Sequence, residues 1–236
     1  MSAFPWETLG SPLVRVPAVS TFVIVGGHGR IGLLTASALD RQGHVVRSLI
    51  RRTEQGADVE ATGAVPYLLD LEGSDAGDLA EAFDGADGVV FAAGGGSDGS
   101  IERKRTVDLG GSLKSIEAAT ASGVSRFVQV SATGVDDPLP DDTEPVWRAY
   151  VEAKRDADAA LRASGLDWTI VRPGRLTDGP ATDAVRMGRS LPRGEVARAD
   201  VAAVIVAVLE DDSTIGAQFD LTSGERTISD AIASLG

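Results

Sequence analysis

The sequence predicts an α/β protein in which a doubly wound parallel sheet lies between two layers of helices. Short apolar runs rich in β-branched residues alternate along the chain with stretches of helical spacing. Such runs are typical of strands buried on both faces. The links between them are short, so we expect parallel strands joined by right-handed helical crossovers in a three-layer α/β/α arrangement.

The predicted elements follow one another in strict alternation. The first strand is TFVIV (Thr21–Val25), and the following helix has apolar residues at Ile31, Leu34 and Leu39. The same criteria predict further strands at 44–50, 64–70, 87–94, 126–132, 167–174 and 217–223. They predict helices at 29–42, 75–83, 101–122, 145–164, 200–209 and 228–235. Residues 175–195 contain scattered Gly, Pro and Arg, so we expect an irregular segment there.

The composition excludes several classes of protein. The 236 residues include no cysteine and two histidines, which rules out disulfides, thiolate metal sites and a His-rich metal site. The net charge of -13 disfavours nucleic acid and anionic membranes as partners. Residues 1–18 contain Glu7 and three prolines and do not fit a signal peptide. We therefore expect a cytoplasmic monomer or homodimer without a metal, in which an irregular arm (1–18) precedes one domain (19–236).

A glycine-rich turn joins the first strand to the first helix. Its segment Gly26-Gly27-His28-Gly29-Arg30-Ile31-Gly32 contains Gly26-x-x-Gly29-x-x-Gly32, and also Gly27-x-Gly29-x-x-Gly32. Glycines at these spacings permit a sharp turn, close approach of a pyrophosphate to backbone N–H groups and close helix packing. The helix N-terminus adds a partial positive charge. The turn therefore predicts a Rossmann-type dinucleotide site, with a tight ligand-free turn as the alternative.

The end of the second strand predicts which dinucleotide binds. Sites that prefer NAD place a carboxylate near this point to bind the ribose 2′-hydroxyl, but this chain has Arg51-Arg52. A guanidinium group matches the 2′-phosphate of NADP, and Arg30 in the glycine turn offers a further charge. Asp70-Leu71 ends the third strand within reach of the adenine, and Ala92-Ala93-Gly94 leaves room for the adenosine. We therefore predict NADP rather than NAD.

Several segments together resemble the short-chain dehydrogenase/reductase superfamily, in particular its atypical NmrA-like and sugar-epimerase-like members. The resemblance covers about residues 21–236. The segments that carry it are VGGHGRIG, the arginine pair, LLDL, FAAGGG, QVSATG, Tyr150-x-x-x-Lys154, TIVRPGRLTDGP and ARADVAAVIVAVL. It implies a substrate pocket built largely from about residue 175 to the C-terminus, and a place for Pro173 in the cofactor site.

Tyr150 and Lys154 are the candidate catalytic pair. Four residues apart on a helix, they lie on one face, and a nearby ammonium group is expected to lower the pKa of the phenol. The resemblance implies that Lys154 also binds the nicotinamide ribose and that Ser131 bonds to the substrate oxygen. Asp108 occurs where the superfamily commonly has asparagine. An ionised carboxylate accepts hydrogen bonds but donates none.

Three functions are compatible with these residues. The first is an NADP-dependent oxidoreductase or epimerase-like enzyme that moves a hydride to or from a small carbonyl or alcohol substrate. The second is a non-catalytic NADPH-binding regulator of the NmrA kind. The third is a flavin or quinone reductase that needs no tyrosine acid. Tyr150, Lys154 and the upstream Ser131 favour the enzyme, and the sequence leaves its substrate unidentified.

Overall fold

A mostly parallel sheet with helices on both faces forms the centre of the molecule. The computed structural model describes residues 19–96 and 100–235, so the predicted arm at 1–18 lies outside the described residues. The Rossmann-type α/β fold predicted from the sequence is confirmed. None of the helices within the described ranges has the length and apolarity needed to cross a membrane.

The strands form one large sheet and one small one. The large sheet has the order β11-β8-β10-β6-β5-β4-β1-β2-β3, and β7 pairs with β9 separately. The strands are β1 (Thr21–Val25), β2 (Val45–Ile50), β3 (Val65–Leu68), β4 (Gly88–Phe91), β5 (Arg126–Val130), β6 (Asp167–Pro173), β7 (Arg175–Thr177), β8 (Ala184–Gly188), β9 (Glu195–Ala197), β10 (Ala217–Ser223) and β11 (Arg226–Thr227).

Helices cover both faces of the large sheet. They are α1 (Arg30–Arg41), α2 (Gly56–Glu60), α3 (Ala76–Phe83), α4 (Ile101–Arg103), α5 (Ser112–Ser122), α6 (Pro145–Arg162), α7 (Arg198–Leu209) and α8 (Ile228–Ala233), with 3₁₀ turns at Thr53–Gln55 and Asp212–Thr214. One apolar cluster joins the sheet to α1, α7 and α8, and a second joins it to α3, α5 and α6. The continuous burial of β4 explains why this strand is an unbroken apolar run in the sequence.

The strand order places a ligand-binding crevice between β1 and β4. The chain runs outward from β1 through β2 to β3, and then returns to the other side of β1 to form β4, β5 and β6. The connections on the two sides of β1 diverge at its carboxyl end and leave a gap there. The glycine turn that follows β1 lies at this gap.

The expectation that residues 175–195 are irregular was wrong. β7 and β8 lie inside this segment and β9 begins at its end. β8 pairs with β10 in the antiparallel direction, which extends the sheet beyond its parallel part. Strands of three to five residues are too short to show a reliable period. Their pairing comes from tertiary contacts that local sequence does not reveal.

The helix predicted at 101–122 is interrupted by a π-helical segment. Residues Lys104–Gly111 have π geometry and lie between α4 and α5. Such segments occur frequently at functional sites, because the widened turn changes which side chains face a neighbouring element. Here the segment packs against α6 and contains Asp108.

Candidate cofactor and substrate site

The glycine turn is held together by contacts that larger side chains would prevent. Gly26 has a φ of +89°, and a Cβ atom there would lie 2.7 Å from the backbone of Ala93. The N–H of Gly29 donates to the carbonyl of Gly26 at 2.9 Å. A Cβ atom at Gly32 would lie 2.5 Å from that same carbonyl oxygen. The turn, its close approach to the segment that follows β4 and the helix packing therefore all require glycine.

A cleft of about 330 Å³ opens beside this turn. It brings together residues that follow four neighbouring strands, as the topology predicts. Its lining includes most of the predicted cofactor residues, namely Gly26, His28, Gly29, Arg51, Asp70, Leu71, Ala92, Ala93 and Gly94. Ile31 and Gly32 lie in the first turn of α1, outside this lining.

The two adjacent arginines differ in position. Both are exposed, but Arg51 lines this cleft, whereas Arg52 is not part of the lining. The side-chain oxygen of Gln55 accepts the backbone N–H groups of both arginines at 3.2 Å. The amide nitrogen of Gln55 lies 3.1 Å from Nδ1 of His28, whose Nε2 lies 2.8 Å from Asp58. Gln55 therefore fixes the loop that presents Arg51.

Arg30 makes a contact that the sequence did not predict. Its guanidinium group lies 2.5 Å from one carboxylate oxygen of Asp178, whose other oxygen lies 2.6 Å from Arg198. These two arginines hold the pKa of the exposed Asp178 carboxyl below its ordinary value, chiefly through the hydrogen bond from Arg30. The contact ties the start of α1 to the segment after β7.

A second, larger cleft of about 1350 Å³ adjoins the first. Gly96 belongs to the linings of both clefts. Ser131, Tyr150 and Pro173 of the predicted site line the larger cleft. Its other walls come from the loop before α6, the first turn of α6 and residues between β6 and α7, including Leu139, Trp147, Arg175, Leu176, Arg189 and Arg193.

Lys154 and Asp108 form a buried ion pair behind these clefts. The Nζ atom of Lys154 lies 3.3 Å from Oδ1 of Asp108 and donates to the carbonyl of Val130 at 3.1 Å. The other carboxylate oxygen of Asp108 accepts the N–H of Gly95 at 2.8 Å. Burial acts to lower the pKa of Lys154, but Asp108, Tyr150 and Asp158 outweigh it and raise that pKa. Lys154 therefore stays charged.

The expectation of a lowered tyrosine pKa was wrong. Burial raises the pKa of the Tyr150 phenol, and the carboxylates of Asp108 and Asp158 add to the rise. The Lys154 ammonium group acts in the opposite direction and does not reverse it. The sequence shows the pairing of Tyr150 with Lys154, but it does not show the burial or the two nearby carboxylates that decide the direction.

Ser131 belongs to a buried polar network centred on Asp158. Its hydroxyl donates to Oδ2 of Asp158 at 2.8 Å, and the side-chain amide of Gln129 donates to Oδ1 at 2.7 Å. Arg172 donates to Asp158 through Nε and Nη2 at 2.9 and 2.7 Å. Arg172 also reaches Asp136 at 2.6 Å. Because the Ser131 hydroxyl donates its hydrogen to Asp158, the Ser131 Oγ atom presents lone pairs to the cleft.

Sequence reasoning missed Gln55, Asp158 and the pairing role of Arg172. A signal for Asp158 was present, because it follows Lys154 by four residues just as Lys154 follows Tyr150. This repeated spacing keeps all three side chains on one face of α6. Gln55 gave no comparable signal, since its importance comes from the fold of a short loop.

The residues of the smaller cleft fit a dinucleotide. The turn at Gly26 and Gly29 leaves open the space that side chains would fill, and it lies at the N-terminus of a twelve-residue helix. Arg51 supplies an anion-binding group to the lining, and Ala92, Ala93 and Gly94 are small residues within it. No group of three or more His, Cys, Asp or Glu side chains that could hold a metal occurs within residues 19–96 and 100–235.

Comparisons with known proteins give a consistent family. A family model described as NAD(P)H-binding matches residues 26–212. A Bacillus subtilis protein that carries the name uncharacterized sugar epimerase YhfK is 38% identical over 90% of this chain and 98% of its own length. A solved Bacillus halodurans structure named for an NAD-dependent epimerase/dehydratase has a TM-score of 0.84 and 33% identity over 92% of this chain and 100% of its own. The oxidoreductase ylbE from Lactococcus lactis has a TM-score of 0.81 and 26% identity, and the match covers 91% of this chain and 96% of that one.

Proposed function

We propose that this chain, which belongs to the NAD(P)H-binding family, is an NADP-dependent oxidoreductase acting on a small carbonyl or alcohol substrate. One observation carries the proposal. The cleft beside the glycine turn adjoins a larger cleft that is lined by Tyr150, and Lys154 lies buried four residues away on the same helix. A dinucleotide site next to a positioned phenol suits hydride transfer coupled to proton transfer.

The preference for NADP rests on Arg51 and Arg52. Arg51 lines the smaller cleft, and the two backbone N–H groups bound by Gln55 fix the loop that carries both arginines. A 2′-phosphate accepts charge-assisted hydrogen bonds from such groups, whereas a 2′-hydroxyl gains little from them. The backbone of Gly26 and Gly29 would hold the pyrophosphate, and Asp70, Leu71 and Ala92 to Gly94 would surround the adenosine.

In the proposed mechanism, the bound cofactor supplies or accepts the hydride. Tyr150 gives a proton to the substrate oxygen during carbonyl reduction, and it takes the proton back in the reverse direction. Lys154 stays charged between Asp108 and the Val130 carbonyl, and it favours the phenolate that Tyr150 becomes. Ser131 accepts a hydrogen bond from the substrate hydroxyl, since its own hydrogen is given to Asp158.

Titration of the protein with NADPH and NADH by calorimetry tests the cofactor preference. The wild type should bind NADPH more tightly. Arg51→Ala with Arg52→Ala should raise the Kd for NADPH about tenfold or more, because charge-assisted bonds contribute about 1.5–3 kcal/mol each. The Kd for NADH should change little. Arg186→Ala with Arg226→Ala is the matched control, because these exposed arginines lie outside both clefts. An unchanged NADPH preference in the first variant would contradict the proposal.

Turnover is tested separately with panels of carbonyl, flavin and quinone substrates. Oxidation of NADPH by a carbonyl compound supports the proposed enzyme. Tight NADPH binding without turnover in any panel contradicts it and favours the regulator. Turnover confined to flavins or quinones favours the third function.

A further inference from the structure

We propose that the larger cleft contains a binding site for an oxyanion, formed by Lys104, Arg189 and Arg193, so that the substrate carries a carboxylate or phosphate group. That the bound oxyanion is part of the substrate rests on the proposed function, whereas the site itself rests on the cations of the cleft. All three residues belong to its lining. They reach it from two separate parts of the chain, namely the π-helical segment and the loop between β8 and β9.

Lys104 carries most of the argument. Its side chain is buried, with 7% of the residue exposed, yet no carboxylate in the described part of the chain lies within ion-pairing distance of its Nζ atom. The ammonium group donates to the carbonyl of Gly96 and lies 5.7 Å from the centre of the Tyr150 ring. Burial of a charge without a counter-ion costs free energy. An anionic ligand next to Tyr150 would supply the missing counter-ion.

Arg189 and Arg193 belong to a loop that is held at two points. The N–H of Leu191, between them, donates to the carboxylate of Asp220 at 3.0 Å. The carbonyl of Gly194 accepts the N–H of Arg175 at 2.9 Å. Both arginines are exposed, and no hydrogen bond or ion pair of their side chains occurs among the described residues. The loop therefore presents two free guanidinium groups to the cleft.

The other charges of the cleft largely cancel one another. Arg172, Arg175 and Arg198 each have a carboxylate partner, in Asp136 and Asp158, in Glu195 and in Asp178 respectively. Glu144 caps the N-terminus of α6. Three other lining carboxylates have no ion pair among the described residues, namely Asp137 and Asp142 on the loop before α6, and Asp220, which accepts the N–H of Leu191 on the β8–β9 loop. The lining carries equal numbers of cationic and anionic side chains, so the proposed site rests on Lys104, Arg189 and Arg193 themselves and not on a net positive charge of the cleft.

Three probes that share one ring measure the site directly. Calorimetry with the NADP⁺-saturated protein compares phenyl phosphate, benzoate and the neutral benzamide, so that the phosphate sites of the cofactor cleft are already filled. At least one oxyanion should bind about tenfold more tightly than benzamide, as one charge-assisted bond would produce. The tighter of the two oxyanions identifies the class of headgroup. Failure of both to bind more tightly than benzamide would overturn the proposal.

Two variants assign the binding to these residues. Lys104→Met, and separately Arg189→Ala with Arg193→Ala, should each weaken oxyanion binding about tenfold and leave benzamide unchanged. Arg186→Ala with Arg226→Ala removes the same number of exposed charges outside the cleft and should have no effect. Should Lys104→Met not fold, as judged by circular dichroism, the arginine variant alone decides. Equal losses in the arginine variant and its control would refute the site.

A kinetic comparison separates this inference from the proposed function. With NADPH, 4-carboxybenzaldehyde should have a kcat/KM about tenfold above that of 4-formylbenzamide, and the arginine variant should remove the difference. Oxyanion binding without any turnover would support the site and contradict the oxidoreductase. Turnover that favours the neutral aldehyde would overturn the anionic substrate class and leave the oxidoreductase intact.

Discussion

Burial and charge act in opposite directions on Tyr150. Withdrawal from water favours the neutral phenol, and the carboxylates of Asp108 and Asp158 favour it further, while the Lys154 ammonium group favours the phenolate. The net rise in the pKa of the phenol keeps it protonated at neutral pH. This state suits a residue that donates a proton during carbonyl reduction. In the oxidation of an alcohol the same rise would require an alkaline medium for the phenolate to act as a base.

Replacement of Tyr150 by Phe should separate these roles. We expect kcat for carbonyl reduction to fall about 10²–10⁴-fold, the usual contribution of positioned proton transfer, while the Kd for NADPH stays nearly constant. In the wild type, kcat for reduction should be level across neutral pH and fall at alkaline pH, as the phenol with its raised pKa loses its proton. The variant should lack this alkaline fall. Full activity with an unchanged pH profile would show that Tyr150 is not the acid.

Helix α6 joins the catalytic candidates to a structural centre. Tyr150, Lys154 and Asp158 follow one another at intervals of four residues and therefore share a face of the helix. Asp158, which is completely buried, accepts four hydrogen bonds from Gln129, Ser131 and Arg172. The network ties α6 to the carboxyl ends of β5 and β6. One helix face thus both lines the larger cleft and holds the strands that end there.

The network at Asp158 should be important for stability. We expect Asp158→Ala to lower the free energy of unfolding by about 3 kcal/mol, because it leaves a buried guanidinium group without one of its partners. Asp156→Ala, an exposed position on the same helix, should change it by less than about 0.5 kcal/mol. Urea unfolding followed by circular dichroism measures both. Similar values for the two variants would show that Arg172 is satisfied without Asp158.

On the scale of the whole molecule, the sequence predicted the sheet better than it predicted the site. The buried parallel strands and the glycine turn have local signals, in β-branched runs and in fixed spacing. The short strands β7, β8 and β9 have no such signal, because partners distant in the chain create them. The charge state of Tyr150 and the link between Ser131 and Asp158 likewise depend on residues that only folding brings together.

The acidic surface gives the whole chain a salt dependence of its own. A net charge of -13 makes the folded state repel itself, and added salt screens this repulsion. We therefore expect the free energy of unfolding of the cofactor-free protein to rise by about 1 kcal/mol between low and physiological NaCl, or about 2–4 °C in Tm. Glu60→Gln, Glu81→Gln and Glu117→Gln together remove three exposed negative charges and should reduce this rise.

NADPH binding should respond in the opposite direction, because the same salt screens the attraction between its phosphates and Arg51. Thermal melts at several NaCl concentrations, with and without NADPH, measure both effects. A Tm that falls with salt in the cofactor-free protein would show that attractive ion pairs such as Arg30–Asp178 outweigh the net repulsion.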